Sequence, residues 1–118
     1  MPDPILIADP DPNWPALFRA ERRRLLATLP DLIAFEHIGS TAVPGLAAKP
    51  VIDMMASVTA LDRITEAAIA PLGYAAFATD MKNRLLFIRP PTGQSPRFHL
   101  HIVEAATWPT RNERLRLR

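Results

Sequence analysis

The chain has no cysteine, only four glycines and two lysines, few aromatic residues and no long apolar run. Without cysteine it has no disulfide framework, cysteine-based zinc site or thiol nucleophile. Its longest apolar runs, such as residues 85–88, fall far short of a membrane span. Asp3 and Asp9 stand where a signal peptide needs basic residues and a long apolar run. We therefore expect a cytoplasmic protein with no membrane partner.

What is present fits one globular domain over residues 1–118. A chain of 118 residues that is 48% hydrophobic has enough apolar surface for a core of its own. The pI of 9.7 conceals a net charge of only +2. Residues 1–59 carry five basic and seven acidic side chains, and residues 60–118 carry nine and five. The absence of a contiguous basic run disfavours a nucleic-acid polymer as partner, because such partners need many phosphate contacts.

Hydrophobic periodicity predicts an α+β fold, with helices flanking a mixed β-sheet. The first helix is expected to be capped by Asn13 and to end near residue 28, before Pro30. A second helix is expected over residues 60–72, opened by Thr59 and Asp62 and packed on one face of the sheet. Strands are predicted over residues 33–38, 51–58, 74–79, 84–89 and 97–104. We expect the strands over 33–38, 51–58 and 97–104 to lie in one sheet.

The turn Gly39-Ser40-Thr41 follows a predicted strand and is a candidate phosphate-binding site. Glycine permits a tight turn, and the two hydroxyls stand beside backbone N–H groups that a following helix would direct at an anion. The simpler interpretation is that Ser40 only caps that helix. Lys49 is either a point charge for the same phosphate or a solvated loop residue.

Asp53 interrupts the most apolar predicted strand, where an unpaired carboxylate is costly. Lys49, a metal ion or a cleft at a strand end would each compensate this charge. His99 and His101 alternate on one face of the last predicted strand, so both imidazoles can reach one ion; the simpler interpretation is that they are structural or surface histidines. His37 is more typical of a hydrogen-bonded core histidine, and Glu36 lies on the opposite face of its strand. Arg89 and Arg97 flank a proline-rich loop, where they either clamp an anion or lie in solvent.

The segment from His37 to Asp53, HIGSTAVPGLAAKPVID, resembles the signature block of the GrpB family, small bacterial proteins placed in the nucleotidyltransferase superfamily. Residues 11–15 (DPNWP), 72–74 (LGY) and 99–101 (HLH) also match, in the family's order. The resemblance covers nearly the whole chain. Family members continue beyond the position of residue 118 through a further helix. The resemblance therefore implies that this chain lacks the C-terminal segment of the family. We expect Trp108 and residues 111–118 to be poorly covered, or covered by a second copy of the chain.

The resemblance implies a nucleotidyltransferase-like fold and a role for each matched residue. Gly39, Ser40 and Thr41 would hold the phosphates of a nucleotide, and Asp53 would bind Mg²⁺. This sequence departs from the superfamily pattern at Met55, where a second acid is usual. A two-metal site needs bridging carboxylates, and Asp53 alone cannot supply them. The third acidic position is most nearly met by His99 or His101.

Three functions remain open from the sequence. The first is metal-assisted transfer of a nucleotidyl group, with Asp53, His99 and His101 as catalytic residues and Asp53 and His101 as metal ligands. The second is binding of a nucleoside triphosphate, or another phosphorylated small molecule, without turnover. The third is a metal-dependent hydrolase. Mg²⁺ is the expected cofactor of the first function, whereas imidazole ligands favour Zn²⁺ or another transition ion.

Overall fold

The computed structural model describes residues 7–78, 83–93 and 95–108, and about half of these lie in α-helices and strands. Two α-helices, α1 (Trp14–Thr28) and α2 (Glu66–Ile69), accompany five strands. The strands are β1 (Phe35–Ile38), β2 (Val51–Val58), β3 (Ala75–Phe77), β4 (Arg84–Arg89) and β5 (Arg97–Glu104). Short 3-10 turns lie at Ser40–Ala42, Leu61–Arg63, Ala70–Leu72 and Ala105–Thr107. No helix in these ranges has the length and apolarity needed to cross a membrane.

The five strands form one mixed sheet in the order β1-β2-β5-β4-β3. Strands β2 and β5 are parallel, and every other neighbouring pair is antiparallel. The predicted α+β class with helices beside a mixed sheet is confirmed. The three strands expected in one sheet are neighbours, in the order β1, β2, β5.

The two faces of the sheet differ in what covers them. Helix α1 packs on one face, called here the helix face, where it joins the main apolar core with Ile52, Met54 and Leu100. The opposite face, called here the far face, is defined by Asp53, Met55, His99, His101 and Val103. On that face only Ile38, Met55 and Val103 form a buried apolar cluster, and Trp108 packs against it. The polar candidate residues are therefore on the face that α1 does not cover.

Helix α1 begins as predicted at Trp14 but without the expected side-chain cap. The Asn13 side chain makes no capping hydrogen bond; instead the Asn13 backbone N–H donates to Asp11 Oδ1 at 2.8 Å. Pro15 in the first turn supplies a preset backbone angle where its missing N–H costs nothing. Burial of Trp14 and Leu25 then holds the helix on the sheet.

The single helix predicted over residues 60–72 is wrong, because this segment forms three short pieces. Leu61–Arg63 is a 3-10 turn, α2 covers Glu66–Ile69, and Ala70–Leu72 is a second 3-10 turn. Thr65, rather than Thr59 or Asp62, caps α2, and its hydroxyl accepts from the Ala68 N–H at 3.2 Å. Pro71 interrupts the α-helical hydrogen bonds after Ile69, since it has no N–H to donate. The apolar positions 64 and 69 still reach the core.

Two strand boundaries and the chain end also differ from expectation. The first strand begins at Phe35 rather than at residue 33, and Ile33 is 59% exposed. Strand β3 ends at Phe77, whereas Thr79 lies outside the described residues. Trp108 is half-buried against the far-face cluster, contrary to the expectation that it would be poorly covered. Residues 111–118 lie outside the described ranges, so that part of the expectation stays a prediction.

Candidate functional site

Asp53 and the two β5 histidines come together on the far face. Asp53 pairs directly with His99 across the parallel strands β2 and β5, and Met55 pairs with His101. The Asp53 Oδ1 atom lies 3.4 Å from His99 Nδ1 and 3.7 Å from His101 Nε2. Asp53 and His101 are buried, and His99 is half-buried. Strand alternation places both imidazoles on the same side of the sheet. The register of β2 on β5 places the Asp53 side chain on that side too, where it contacts both rings.

The two imidazoles offset the cost of burying the Asp53 carboxylate. Burial alone would raise the pKa of Asp53, but the contacts with His101 and His99 outweigh it and hold the pKa below its ordinary value. Asp53 is therefore a carboxylate at neutral pH. Of the three compensating partners considered from the sequence, Lys49 is not the one that meets Asp53, because its side chain is exposed in the loop before β2.

Several donor and acceptor atoms of this cluster are buried without a hydrogen-bond partner within the described part of the chain. They are Asp53 Oδ1, His99 Nε2 and both ring nitrogens of His101. Buried polar atoms usually have partners, so atoms left without one point to a ligand or ion. One carboxylate and two imidazoles suit a transition ion, whereas Mg²⁺ would need further oxygens from water and from a phosphate ligand.

Among the described residues, no group of three His, Asp or Glu side chains is arranged to hold an ion. The donor chemistry of Asp53 and His101 fits a cation, but their ion would be completed by ligand oxygens.

Met55 occupies the position where the superfamily pattern places a second acid. Its side chain is fully buried and packs with Ile38 and Val103. A carboxylate at this position would lose its hydration among apolar neighbours. The far face therefore offers Asp53 without a second acid two residues along β2.

The Gly39-Ser40-Thr41 turn adjoins Asp53, because Ile38, the residue before Gly39, pairs with Asp53. Gly39 has φ of 71°, a conformation that a residue with a Cβ rarely adopts. A 3-10 turn follows at Ser40–Ala42. The Thr41 hydroxyl is buried and donates to the Val51 carbonyl at 2.9 Å, so it serves the turn itself. Ser40 is half-buried.

His37 and Glu36 point to opposite faces, as the strand parity predicts. His37 lies on the helix face, where its ring stacks on Phe18 with centroids 5.0 Å apart. Its Nε2 atom lies 2.9 Å from Thr41 Oγ1, and since that hydroxyl gives its only proton to Val51, His37 Nε2 is the donor. Burial lowers the pKa of His37 to about 4, so this core histidine is neutral. Glu36, which pairs with Met55, is on the far face.

A groove of about 330 Å³ lies between the start of α1 and the loop after β1. Pro12, Trp14 and Pro44 are among its mainly apolar lining residues, and neither Asp53 nor a histidine contributes to it. The groove is therefore separate from the Asp53 cluster. Its described lining has no convergent polar groups of the kind that mark a reaction site.

Two functional-looking features were not found from the sequence. Glu21 is buried on α1 and binds Arg24, Arg89 and Tyr74. The sequence feature that could have identified Glu21 is its position within the apolar stripe of α1, seven residues after Trp14. Arg89, considered above as an anion clamp, is thereby engaged inside the protein. The second missed feature is Arg84 on the far face, which no sequence motif distinguishes.

Over residues 4–118, the chain matches the family described as GrpB protein. The chain belongs to the GrpB family. UPF0157 protein PA4798 of Pseudomonas aeruginosa is 37% identical over 112 residues, which cover 88% of this chain and 46% of that protein. UPF0157 protein SCO7215 of Streptomyces coelicolor is also 37% identical, over 103 residues covering 85% of this chain and 52% of that protein. This GrpB-family chain thus spans about half the length of these relatives.

A solved structure gives the same fold. The crystal structure of the conserved protein GrpB from Enterococcus faecalis matches with a TM-score of 0.72 and 29% sequence identity. The match covers 84% of this chain and 61% of that chain. The GrpB resemblance drawn from the signature block is therefore confirmed. Family membership by itself assigns no reaction.

Proposed function

We propose that this GrpB-family chain is a nucleotidyltransferase-like protein that binds a nucleoside triphosphate on the far face of the sheet. In the proposed reaction, an acceptor oxygen attacks the α-phosphorus, and pyrophosphate leaves. The observation that carries the proposal is the convergence of Asp53, His99 and His101, with buried polar atoms that lack hydrogen-bond partners among the described residues. The acceptor is not specified by these residues.

Each far-face residue has a distinct role in this proposal. Asp53, ionised at neutral pH, and His101 would hold a divalent cation, which would neutralise charge on the phosphates. His99 contacts the same carboxylate oxygen and orients it. Gly39 and Ser40, at the turn beside Asp53, would contribute backbone N–H groups and a hydroxyl to the phosphates. Thr41 would hold the turn in shape through its bond to Val51, and exposed Lys49 would attract the anion from solution.

A second candidate function is binding of a phosphorylated small molecule without turnover. The burial of Met55 favours it, because a two-metal site has no second carboxylate at that position. The two candidates share the ligand and differ in whether pyrophosphate is released. A measurement of binding and a measurement of turnover therefore separate them.

The test is a thermal-shift panel of the four common nucleoside triphosphates with Mg²⁺, Mn²⁺ or Zn²⁺. A ligand at about 100 times its Kd stabilises the folded state by about 2.7 kcal/mol, which raises the melting temperature measurably. We expect a shift for the parent chain and none for Asp53→Asn. The exposed Asp62→Asn variant is the matched control and should shift like the parent. Asp53→Asn should fold, since the amide has the same shape as the carboxylate and keeps an acceptor oxygen towards the two imidazoles.

Pyrophosphate release under the best condition then decides between the candidates. Release that Asp53→Asn abolishes supports transfer, and binding without release supports the non-catalytic function. A shift confined to Zn²⁺ without nucleotide would favour the hydrolase. Equal nucleotide binding by Asp53→Asn and the parent would show that the far-face assignment is wrong.

A further inference from the structure

Arg84 shares the far face with the Asp53 cluster. On the antiparallel strands β4 and β5, Arg84 pairs with Val103, and Leu86 pairs with His101. Directly paired residues of such strands direct their side chains to the same side of the sheet. Val103 lies on the far face with His101, so Arg84 does too. The guanidinium therefore belongs to the same surface as the candidate site.

The Arg84 guanidinium is partly withdrawn from water. Its Nη1 atom is buried and has no hydrogen-bond partner within the described residues. Burial lowers the pKa of Arg84, and no carboxylate in the described ranges opposes this effect. Arg24 shows the contrast, because its hydrogen bond to Glu21 raises its pKa. Among the described residues, Arg84 thus has no anionic partner of the kind that Arg24 has in Glu21.

A buried guanidinium nitrogen without a partner is costly, and an external anion would remove that cost. The planar guanidinium matches the paired oxygens of a phosphate group better than a point-charge ammonium does. Lys49 is exposed in a loop, whereas Arg84 lies on the sheet surface beside the rung of His101. Arg84 is therefore better placed than Lys49 to bind an anion that lies along the far face.

We propose that Arg84 binds a phosphate group at one end of a polyphosphate chain whose other end lies at Asp53, His99 and His101. The inference rests on the far-face ligand of the proposed function and narrows its class. Val103 lies four residues beyond His99, a distance of about 13 Å at about 3.3 Å per strand residue. The arginine side chain covers part of this distance, and a triphosphate chain covers the rest. Val103 is only about 7 Å from His101, so orthophosphate can contact that end, but it spans the longer distance to His99 and Asp53 less well than a triphosphate does.

The test measures binding of tripolyphosphate and of orthophosphate, each with Mg²⁺, by isothermal titration calorimetry. We expect the parent chain to bind tripolyphosphate more tightly than orthophosphate. Arg84→Gln should weaken tripolyphosphate binding at least tenfold, and Arg84→Lys should weaken it less. Arg63→Gln, which changes an exposed arginine, should bind like the parent. The free Arg84→Gln protein should melt no lower than the parent, because it loses a partly buried charge that has no anionic partner among the described residues.

Three results would overturn the inference: no tripolyphosphate binding by the parent, equal binding by Arg84→Gln, or equal weakening by Arg63→Gln. If Arg84→Gln does not fold, Arg84→Lys decides, and parent-like affinity in that variant also overturns it. The result of this test can be distinguished from the result of the Asp53 test. If Asp53→Asn loses nucleotide binding while Arg84→Gln keeps tripolyphosphate binding, the proposed function stands and the role of Arg84 is wrong. If Asp53→Asn keeps nucleotide binding while Arg84→Gln loses tripolyphosphate binding, Arg84 is an anion site and the proposed function is wrong.

Discussion

At the scale of single residues, two buried ionisable groups on opposite faces of the sheet respond differently to burial. Asp53 stays ionised because two imidazoles contact its Oδ1 atom. At His37 the attraction of Asp53 raises the pKa by less than burial lowers it, so the ring stacks on Phe18 and donates to Thr41 in the neutral form. Burial is the leading effect at both residues, but partners reverse its consequence only at Asp53. The charged group lies on the far face, and the neutral one lies under α1.

His37 makes the stability of the fold depend on pH. Its pKa falls from 6.5 in the unfolded chain to about 4 in the folded protein, so only the unfolded state takes up a proton between these values. The contribution of His37 to the free energy of unfolding should be at its maximum above pH 6.5 and should decrease as the pH falls towards 4. One pKa unit corresponds to about 1.4 kcal/mol, and partial solvent access reduces the total effect to about 2 kcal/mol.

Urea unfolding of the parent and of His37→Gln at pH 7 and pH 4.5 measures this effect. Glutamine retains a donor for Thr41 but does not titrate, so the variant should lose less stability between the two pH values. An identical loss in both proteins would show that His37 does not cause the pH dependence.

At the scale of secondary-structure elements, one buried carboxylate joins α1 to the β3–β4 side of the sheet. Glu21 accepts two hydrogen bonds from Arg24, at 2.9 and 2.8 Å, and one from the Tyr74 hydroxyl at 2.6 Å. Arg89 donates to the same carboxylate at 3.2 Å. These partners hold the pKa of Glu21 below its ordinary value although burial acts to raise it. Arg24 also donates to the Leu72 carbonyl at 2.7 Å, which fixes the turn before β3.

Replacing the Glu21 carboxylate should be costly, because the cations around it would lose their partner. Breaking a buried ion pair by changing one member costs about 3–5 kcal/mol, and we expect Glu21→Gln to fall near the lower end because Arg24 and Arg89 are partly exposed. Denaturant unfolding gives the value. Asp31→Asn, a change on the surface, is the control and should alter stability by less than about 0.5 kcal/mol. A cost for Glu21→Gln no larger than that of the control would contradict this account.

At the scale of the whole molecule, protection decreases from the centre of the sheet to its β3 edge. Strand β5 lies at the centre between β2 and β4, and its residues 100–103 are buried. Strand β3 forms an edge, and all three of its residues are exposed. Local opening is easiest where few buried contacts are lost. The candidate residues of β2 and β5 are therefore carried by the most rigid part of the fold.

Hydrogen exchange should follow this gradient. Amides of β2 and β5 should exchange most slowly, with free energies of opening close to that of global unfolding, and amides of β3 should exchange first. Mass spectrometry of deuterated peptides covering each strand measures the order. Slower exchange in β3 than in β5 would show that rigidity is not centred on the strands that carry Asp53 and His101.

Local pattern in the sequence was sufficient for most elements and for the side of the sheet that each candidate residue occupies. Alternation along a strand is a property of the backbone, so it placed Asp53 with Met55, and His99 with His101, before any pairing was known. The GrpB signature added the fold. The sequence did not predict the break-up of residues 60–72, because apolar spacing cannot distinguish a helix from short turns that bury the same side chains.

Only the tertiary structure decided which faces meet and in what register. The parallel pairing of β2 with β5 brings Asp53 to His99 and His101 across more than forty residues of chain, and this contact depends on burial summed over the whole sheet. The same long-range packing turns Glu21 and Arg89 towards each other and sets Arg84 on the far face. Sequence determined the orientation of side chains within each element, since that follows from backbone geometry. Structure determined which elements are neighbours, since that follows from the total free energy of folding.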